Sequence, residues 1–405
     1  MRDERRLSRP ARWFVAGYGI SAVGTGLCYP YLALYLHDVR GLPATASAAL
    51  LLLLAGVAVP ASLYGGGLAD RRSPRSVALA ALVAQAAGWL LLGAAPHPVA
   101  QAAALVVIGA GTGLFLPAVV PVVAALSPSE AVRARTMSLR YLLLNLGLGA
   151  GGAIGGLLLD GAGPGVYHRL FAANGASCLA YAAIVLLLVP VGPAPARGAG
   201  EVPARFRPGF DLALLFAAEL LLVTFGLAQV ESGVPLAVRE QLHGSTRLVG
   251  LLFALGTAVV LVAQLPVARW VERVHKTRAL AGMALAWAGA WLLGLVASAA
   301  GERARPALLV VVVVGFALGE CAYSPAFYTL VERLAPPGAL GRASGAAWAV
   351  FQAGNTAGPP IAVLVVAGGV SLWPILAAAA VGAAGLLLVL DRRQHRGRVT
   401  APVVE

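Results

Sequence analysis

Lysine occurs once in this chain of 405 residues, cysteine three times and histidine six times, and 17 acidic side chains face 30 basic ones. Each scarcity removes a class of function. The single lysine, Lys276, follows His275 where a phosphate-cradling loop needs glycine, so no nucleotide-driven engine is encoded. Cys28, Cys178 and Cys321 all fall inside apolar stretches, which argues against a disulfide framework or a thiolate metal site and leaves them as small packing residues. The histidines, His37, His97, His168, His243, His275 and His395, fall in loops or tails, away from any intramembrane nucleophile. An enzyme, a resident metal and an organic cofactor are therefore not expected.

What is abundant is apolar surface. Hydrophobic residues make up 59% of the chain and charged ones 12%, with a mean hydropathy of +0.83, beyond what a soluble core can hide. A net charge of +13 would ordinarily suggest nucleic acid. Here the basic residues sit in short clusters between apolar stretches and not along one helix face, so anionic lipid headgroups are the expected counterpart.

A spanning helix needs roughly 20 mostly apolar residues, because its backbone polar groups must be satisfied internally. Twelve stretches qualify: 13–36, 44–66, 76–95, 99–126, 139–160, 168–190, 211–238, 248–269, 279–299, 306–331, 343–366 and 371–390. Two longer uncharged runs divide at breakers, Pro96-His97-Pro98 in one and Gly368-Gly369 in the other. The first stretch exceeds a signal-peptide core and lacks a small-x-small cleavage site, so it counts as a span. When basic residues at the ends of stretches are counted with the gaps they border, alternate gaps hold 24 and 6 of them. Arg-rich short loops stay in the cytoplasm, which places both termini inside.

Residues 191–208 carry four prolines, three arginines and little to bury, and read as a cytoplasmic linker between a bundle at 1–190 and a second at 209–405. The halves repeat each other. Pro117 and Pro128 recur as Pro325 and Pro336 at an offset of 208, while Arg135, Gly147 and Gly151 recur as Arg342, Gly354 and Gly358 at 207. Pro30 and Gly41 return as Pro235 and Gly244. The expected fold is an all-α integral membrane protein, twelve transmembrane helices in two six-helix bundles with pseudo-two-fold symmetry about the membrane normal.

Two motifs carry a family resemblance. Gly66-Gly67-Leu68-Ala69-Asp70-Arg71-Arg72-Ser73-Pro74-Arg75, between the second and third spans, resembles the signature loop of the major facilitator superfamily, departing from it at Ser73 and Pro74. In the fifth span, Gly147-x-x-x-Gly151-Gly152-x-x-Gly155-Gly156 resembles the antiporter signature of that family's twelve-span drug:proton branch. Gly152 stands where proline is usual, and the repeat, Gly358-Pro359, keeps the proline. The resemblance implies that Gly66, Asp70, Arg71 and Arg75 form a latch near the start of the eleventh helix, where a carboxylate gains about 0.3–1 kcal/mol from the helix dipole. Glycines four apart also let neighbouring helices approach closely whatever the function.

Acidic side chains inside spans cost about 2.5–3.5 kcal/mol at a helix centre, so each is a functional candidate. Glu219 and Glu231 in the seventh span and Glu320 in the tenth qualify. Glu320 lies about 20 Å and about 16 Å from the two ends of its span at 1.5 Å per residue. The resemblance implies that helices one, four, seven and ten line the cavity, where a desolvated carboxylate can exchange a proton. Tyr29, Asn145, Gln229, Tyr323, Phe327, Gln352 and Asn355 are candidate solute contacts, with Tyr18 and Tyr31 on plausible cavity faces. Tyr323 and Phe327 follow Glu320 at three and seven, an aromatic face beside a carboxylate that suits a lipophilic, cationic solute. Arg140, at the inner start of the fifth span, is read as snorkelling to lipid phosphate or meeting a cavity acid.

A proton entering down about 150 mV releases roughly 3–4 kcal/mol, enough to sustain a solute gradient of a few hundredfold. The expectation is a proton-coupled exporter of lipophilic small molecules in a bacterial inner membrane, acting as a monomer with no nucleic-acid partner. Proton-coupled import of a metabolite and a non-transporting membrane sensor are the alternatives.

Overall fold

The computed structural model describes residues 7–159, 163–190, 206–242 and 246–399, and these residues are helical throughout with short connections. Twelve principal helices follow in order: α1 Arg9–Cys28, α2 Ala44–Arg71, α3 Pro74–Ala94, α4 Pro98–Leu126, α5 Glu130–Leu159, α6 Pro164–Leu188, α7 Phe210–Leu222, α8 Thr246–Arg273, α9 Lys276–Ala299, α10 Arg305–Leu334, α11 Leu340–Ala367 and α12 Leu372–Val399. Among the described residues, eleven of the spans they belong to are long and apolar enough to cross a membrane. The exception is α1, diluted by Arg9, Arg12 and four glycines.

The breakers act as their chemistry demands. Pro98 opens α4, where its missing N–H costs nothing, and Gly369 takes φ +71° after α11, a conformation that favours glycine. Helix bounds exceed the apolar stretches at the basic ends. The fifth span, expected over 139–160, begins at Glu130, because intrahelical hydrogen bonding continues through Glu130, Arg133 and Arg135 until a stop signal ends it. The seventh span, expected as one helix over 211–238, is instead interrupted. After α7 comes a π-turn at Val223–Leu227, then short helices Ala228–Glu231 and Gly233–Glu240 meeting at Ser232. The first span is likewise irregular at its far end, with a 3₁₀ turn at Tyr29–Tyr31 and a π-turn at Tyr35–Val39.

The chain forms two compact units, one of Met1–Phe206 with Pro336–Ala349, the other of Arg207–Ala335 with Val350–Glu405. In the first, α1 packs on α5 across the predicted glycine ridge. A side chain at Gly151 would strike Val23 O, Leu27 N and Gly26 Cα, all on α1. Close approach is what such a ridge provides where apolar association has no driving force from water. Tyr35, Trp89 and Phe171 fill the far end of this unit, with the Cys28 and Cys178 thiols buried among them. In the second unit, Trp287 stacks on Phe316 at 4.3 Å and donates its indole N–H to the Phe316 carbonyl at 2.9 Å.

Both units fasten the start of one helix to a second helix with arginine. In the first, Arg75 at the start of α3 donates to the Val185 and Leu186 carbonyls at the end of α6, satisfying acceptors that have no intrahelical partner. In the second, Arg278 at the start of α9 pairs with Asp391 of α12 at 3.0 Å.

Candidate functional site

Three polar centres among the described residues bear on the predicted sites. The first is built on Asp70, 5% exposed in the last turn of α2. Its carboxylate accepts the backbone N–H of Gly341 at 2.5 Å, the backbone N–H of Arg342 at 3.0 Å and Arg342 Nε at 2.9 Å. All belong to the first unit, because residues 336–349 group with it. The carboxylate thus takes donors from the first turn of α11 that the helix leaves unsatisfied, at the positive end of its dipole. Glycines permit the contact: a side chain at Gly66 would meet the Gly341 carbonyl, and one at Gly345 would meet the Ser62 carbonyl. Of the predicted latch residues, Gly66 and Asp70 come together here. Arg71 is exposed, and Arg75 serves the α6 terminus instead. The ionic partner of Asp70 is Arg342, identified in the sequence as the repeat of Arg135 but given no role.

The second centre lies in the other unit. Glu219 of α7 is 1% exposed, and Oε1 accepts the Tyr323 hydroxyl of α10 at 3.0 Å. Oε2 has no hydrogen-bond partner and no ion pair joins Glu219 among the described residues. Tyr323 stacks on Phe327 at 5.3 Å with an 11° tilt. The aromatic face foreseen beside Glu320 is therefore joined to Glu219. Glu320 itself is half-buried on α10. The side chain of Glu231 lies outside the described residues.

The π-turn begins four residues after Glu219. Such turns redirect backbone groups and recur at functional positions. Here Gln229 donates its amide to the Thr224 carbonyl at 2.7 Å and the Gly358 carbonyl at 2.9 Å, bracing the distorted segment against α11. Gln229 is completely buried, so this candidate solute contact is a brace in the structure. The first unit holds a parallel tie: Tyr31 donates its hydroxyl to the Gly152 carbonyl at 2.5 Å, beside the predicted Gly155 and Gly156, which leave room for its ring. Gly358 packs on Ala228 with Pro359 following it, as Gly151 packs on α1.

The third centre is Arg140. It does not snorkel to lipid: it is 4% exposed and donates to the Tyr18 hydroxyl at 2.9 Å, with its guanidinium 4.9 Å from the ring centroid. Tyr18 in turn lies against Phe115 and Tyr181. An aromatic ring lies against the charge within the bundle, where the sequence suggested either lipid phosphate or a cavity acid. Among the remaining candidates, Tyr29 is exposed, Asn145 spends its amide on the Tyr141 carbonyl one turn back, and Gln352 and Asn355 are half-buried on α11.

Comparison with known proteins agrees with this architecture. A family model described as Major Facilitator Superfamily matches residues 14–235 and 220–404. A multidrug resistance protein, MdtH of Aeromonas hydrophila, is 30% identical over 345 residues, covering 83% of this chain and 82% of that protein. An uncharacterized MFS-type transporter of Bacillus subtilis, YqjV, is 24% identical over 430 residues, covering 97% and 98%. The crystal structure of a bacterial homologue of the iron transporter ferroportin, in its outward-facing state, superposes with a TM-score of 0.81 at 14% identity, covering 95% of this chain and all of that one.

Proposed function

Because this chain belongs to the major facilitator superfamily, and is on that ground a multi-pass membrane transporter and not an enzyme, we propose that it exports lipophilic small molecules in exchange for protons. It would do so as a monomer in a bacterial inner membrane, both termini inside, its basic ends held by anionic headgroups. Glu219 carries the proton, and the Asp70 grip on the start of α11 is the conformational latch.

The observation that carries this reading is the Glu219–Tyr323 pair. A carboxylate buried without a cation is costly unless something shares the site. The internal repeat supplies a control for what the fold itself requires. At the corresponding positions of the first half stand Phe14 and Phe115, offsets of 205 and 208, and each packs on the Tyr181 ring at 5.6 Å. Aromatic residues therefore hold these two positions in the first bundle, beside the Tyr18–Arg140 pair, so the fold does not itself require an acid and a phenol there. A proton or a cationic solute is what a buried carboxylate beside stacked aromatic rings can take. The multidrug resistance relative supports lipophilic solutes as the class to test.

The test is flux in proteoliposomes containing this chain alone, with a lipophilic cationic dye and an imposed pH gradient. Export predicts dye movement opposite to the proton flow, abolished by a protonophore. Movement of dye with the proton would favour import, and absence of any gradient-dependent flux across a panel of lipophilic solutes would sink the proposal.

A further inference from the structure

The arginine clasp of the second unit differs from that of the first in a way that gives it a second use. In the first unit, Arg75 holds backbone carbonyls, which do not titrate. In the second, the clasp is built from side chains. Asp391, 7% exposed, accepts the Thr277 hydroxyl on Oδ1 at 2.6 Å and Arg278 Nε on Oδ2 at 3.0 Å. The remaining arm of Arg278 stands 2.7 Å from His395 Nε2, and the same Nε2 is 3.6 Å from Asp391 Oδ2.

A guanidinium can only donate. His395 Nε2 must therefore present its lone pair to Arg278, which makes the ring neutral with its proton on Nδ1. A proton added to Nε2 would convert that acceptor into a second cation against Arg278, and would place a donor beside Asp391. Both changes act the same way: Oδ2 passes from Arg278 to His395, and the ionic half of the tie between α9 and α12 is lost, leaving the Thr277 hydroxyl on Oδ1.

We infer that His395 is a regulatory proton site, separate from any transported proton, which releases the Arg278 arm of the α9–α12 clasp and so loosens it when the basic side of the membrane acidifies. Histidine is the side chain whose charge ordinarily changes between about pH 5 and about pH 8. Two other titratable groups described at this end have partners of their own. Asp211 of α7 pairs with Arg393 at 2.7 Å, and Lys276 donates to the Val271 carbonyl at 2.8 Å. Glu272 and Arg273 end α8, and Arg392 is exposed. His275 sets its ring edge-on to His395, centroids 5.2 Å apart, and is the second group whose charge would bear on it. An exporter that admits a proton per cycle acidifies the side on which this cluster is expected, so a clasp loosened by acid would report its own product there.

The test follows the clasp directly, without solute. Gly282→Cys on α9 and Leu388→Cys on α12 place spin labels at exposed positions, with open space around Gly282, while Cys28, Cys178 and Cys321 are buried. In nanodiscs, the interlabel distance distribution is compared at about pH 8 and about pH 5.5, across the histidine range. The inference expects the distance distribution to broaden in acid for the labelled parent, no such broadening in His395→Gln, and a broadened distribution at both pH values in Asp391→Asn. His395 is 42% exposed, so its replacement leaves the bundle core intact. A parent distribution unmoved by pH, or a response retained in His395→Gln, would overturn it. Because no flux is measured, this outcome stands apart from that of the transport proposal.

Discussion

Asp70→Asn removes one charge and preserves the shape of the latch, which makes its cost calculable. The carboxylate accepts three hydrogen bonds: two backbone N–H groups of α11 and Arg342 Nε. An asparagine keeps one acceptor oxygen and turns an NH₂ toward donors. Hydrogen bonds to charged groups contribute about 1.5–3 kcal/mol each when buried. The Arg342 side chain is 22% exposed, so its ionic share is worth no more than about 1 kcal/mol. Loss of one charge-assisted backbone bond together with the dipole term then gives about 2–3 kcal/mol. At 1.4 kcal/mol per tenfold, the first turn of α11 should open about 30- to 150-fold more often. Native-state hydrogen exchange of the 338–349 segment in nanodiscs reads this opening, with α3 as an internal reference. Arg342→Gln should cost less, about 1 kcal/mol or below, since both backbone donors keep their acceptor. Unchanged protection in a folded Asp70→Asn, or a larger effect from Arg342→Gln, would refute the assignment of the backbone donors as the main grip.

Further outcomes follow from the same geometry. Gly151→Ala drives a methyl into the α1 backbone and should cost about 1–3 kcal/mol, whereas Gly152→Ala, whose nearest neighbour would be 4.0 Å away, should cost well under about 1 kcal/mol; unfolding in detergent separates them. Gln229→Leu leaves the Thr224 and Gly358 carbonyls without their side-chain donor and should destabilise the second unit by about 1–3 kcal/mol, without changing the ranking of transported solutes. Tyr31→Phe removes the bond to Gly152 at a cost of about 1 kcal/mol, the usual scale for an interhelical hydrogen bond in a membrane, as thermal unfolding would show.

The fold was legible because desolvation writes depth into sequence: a segment that crosses lipid must be apolar for its whole length, and charges accumulate where it leaves. The same cost drew attention to Glu219, since an acid within an apolar stretch needs a reason. Its partner was not legible. Tyr323 lies three residues after Glu320, and local spacing suggested that pair, whereas which carboxylate the hydroxyl reaches depends on how α10 faces α7. The interruption at Val223–Leu227 left no mark in composition, being a matter of backbone hydrogen bonds and not of side-chain type. Asp70 was visible through its motif, but its grip on Gly341 and Arg342 requires two glycine faces separated by more than 270 residues to meet. Arg140 shows the limit from the other side: its place at a span end left lipid phosphate and a cavity acid both open, and only the position of Tyr18 shows that it turns inward.

The most direct test of the central claim is to separate exchange from coupling in Glu219→Gln. Reconstituted in proteoliposomes, this variant should still exchange labelled for unlabelled solute across the membrane when no pH gradient is present, while losing gradient-driven accumulation. If Glu219→Gln accumulates solute against its gradient as the parent does, Glu219 does not carry the coupling proton and the account fails at its centre.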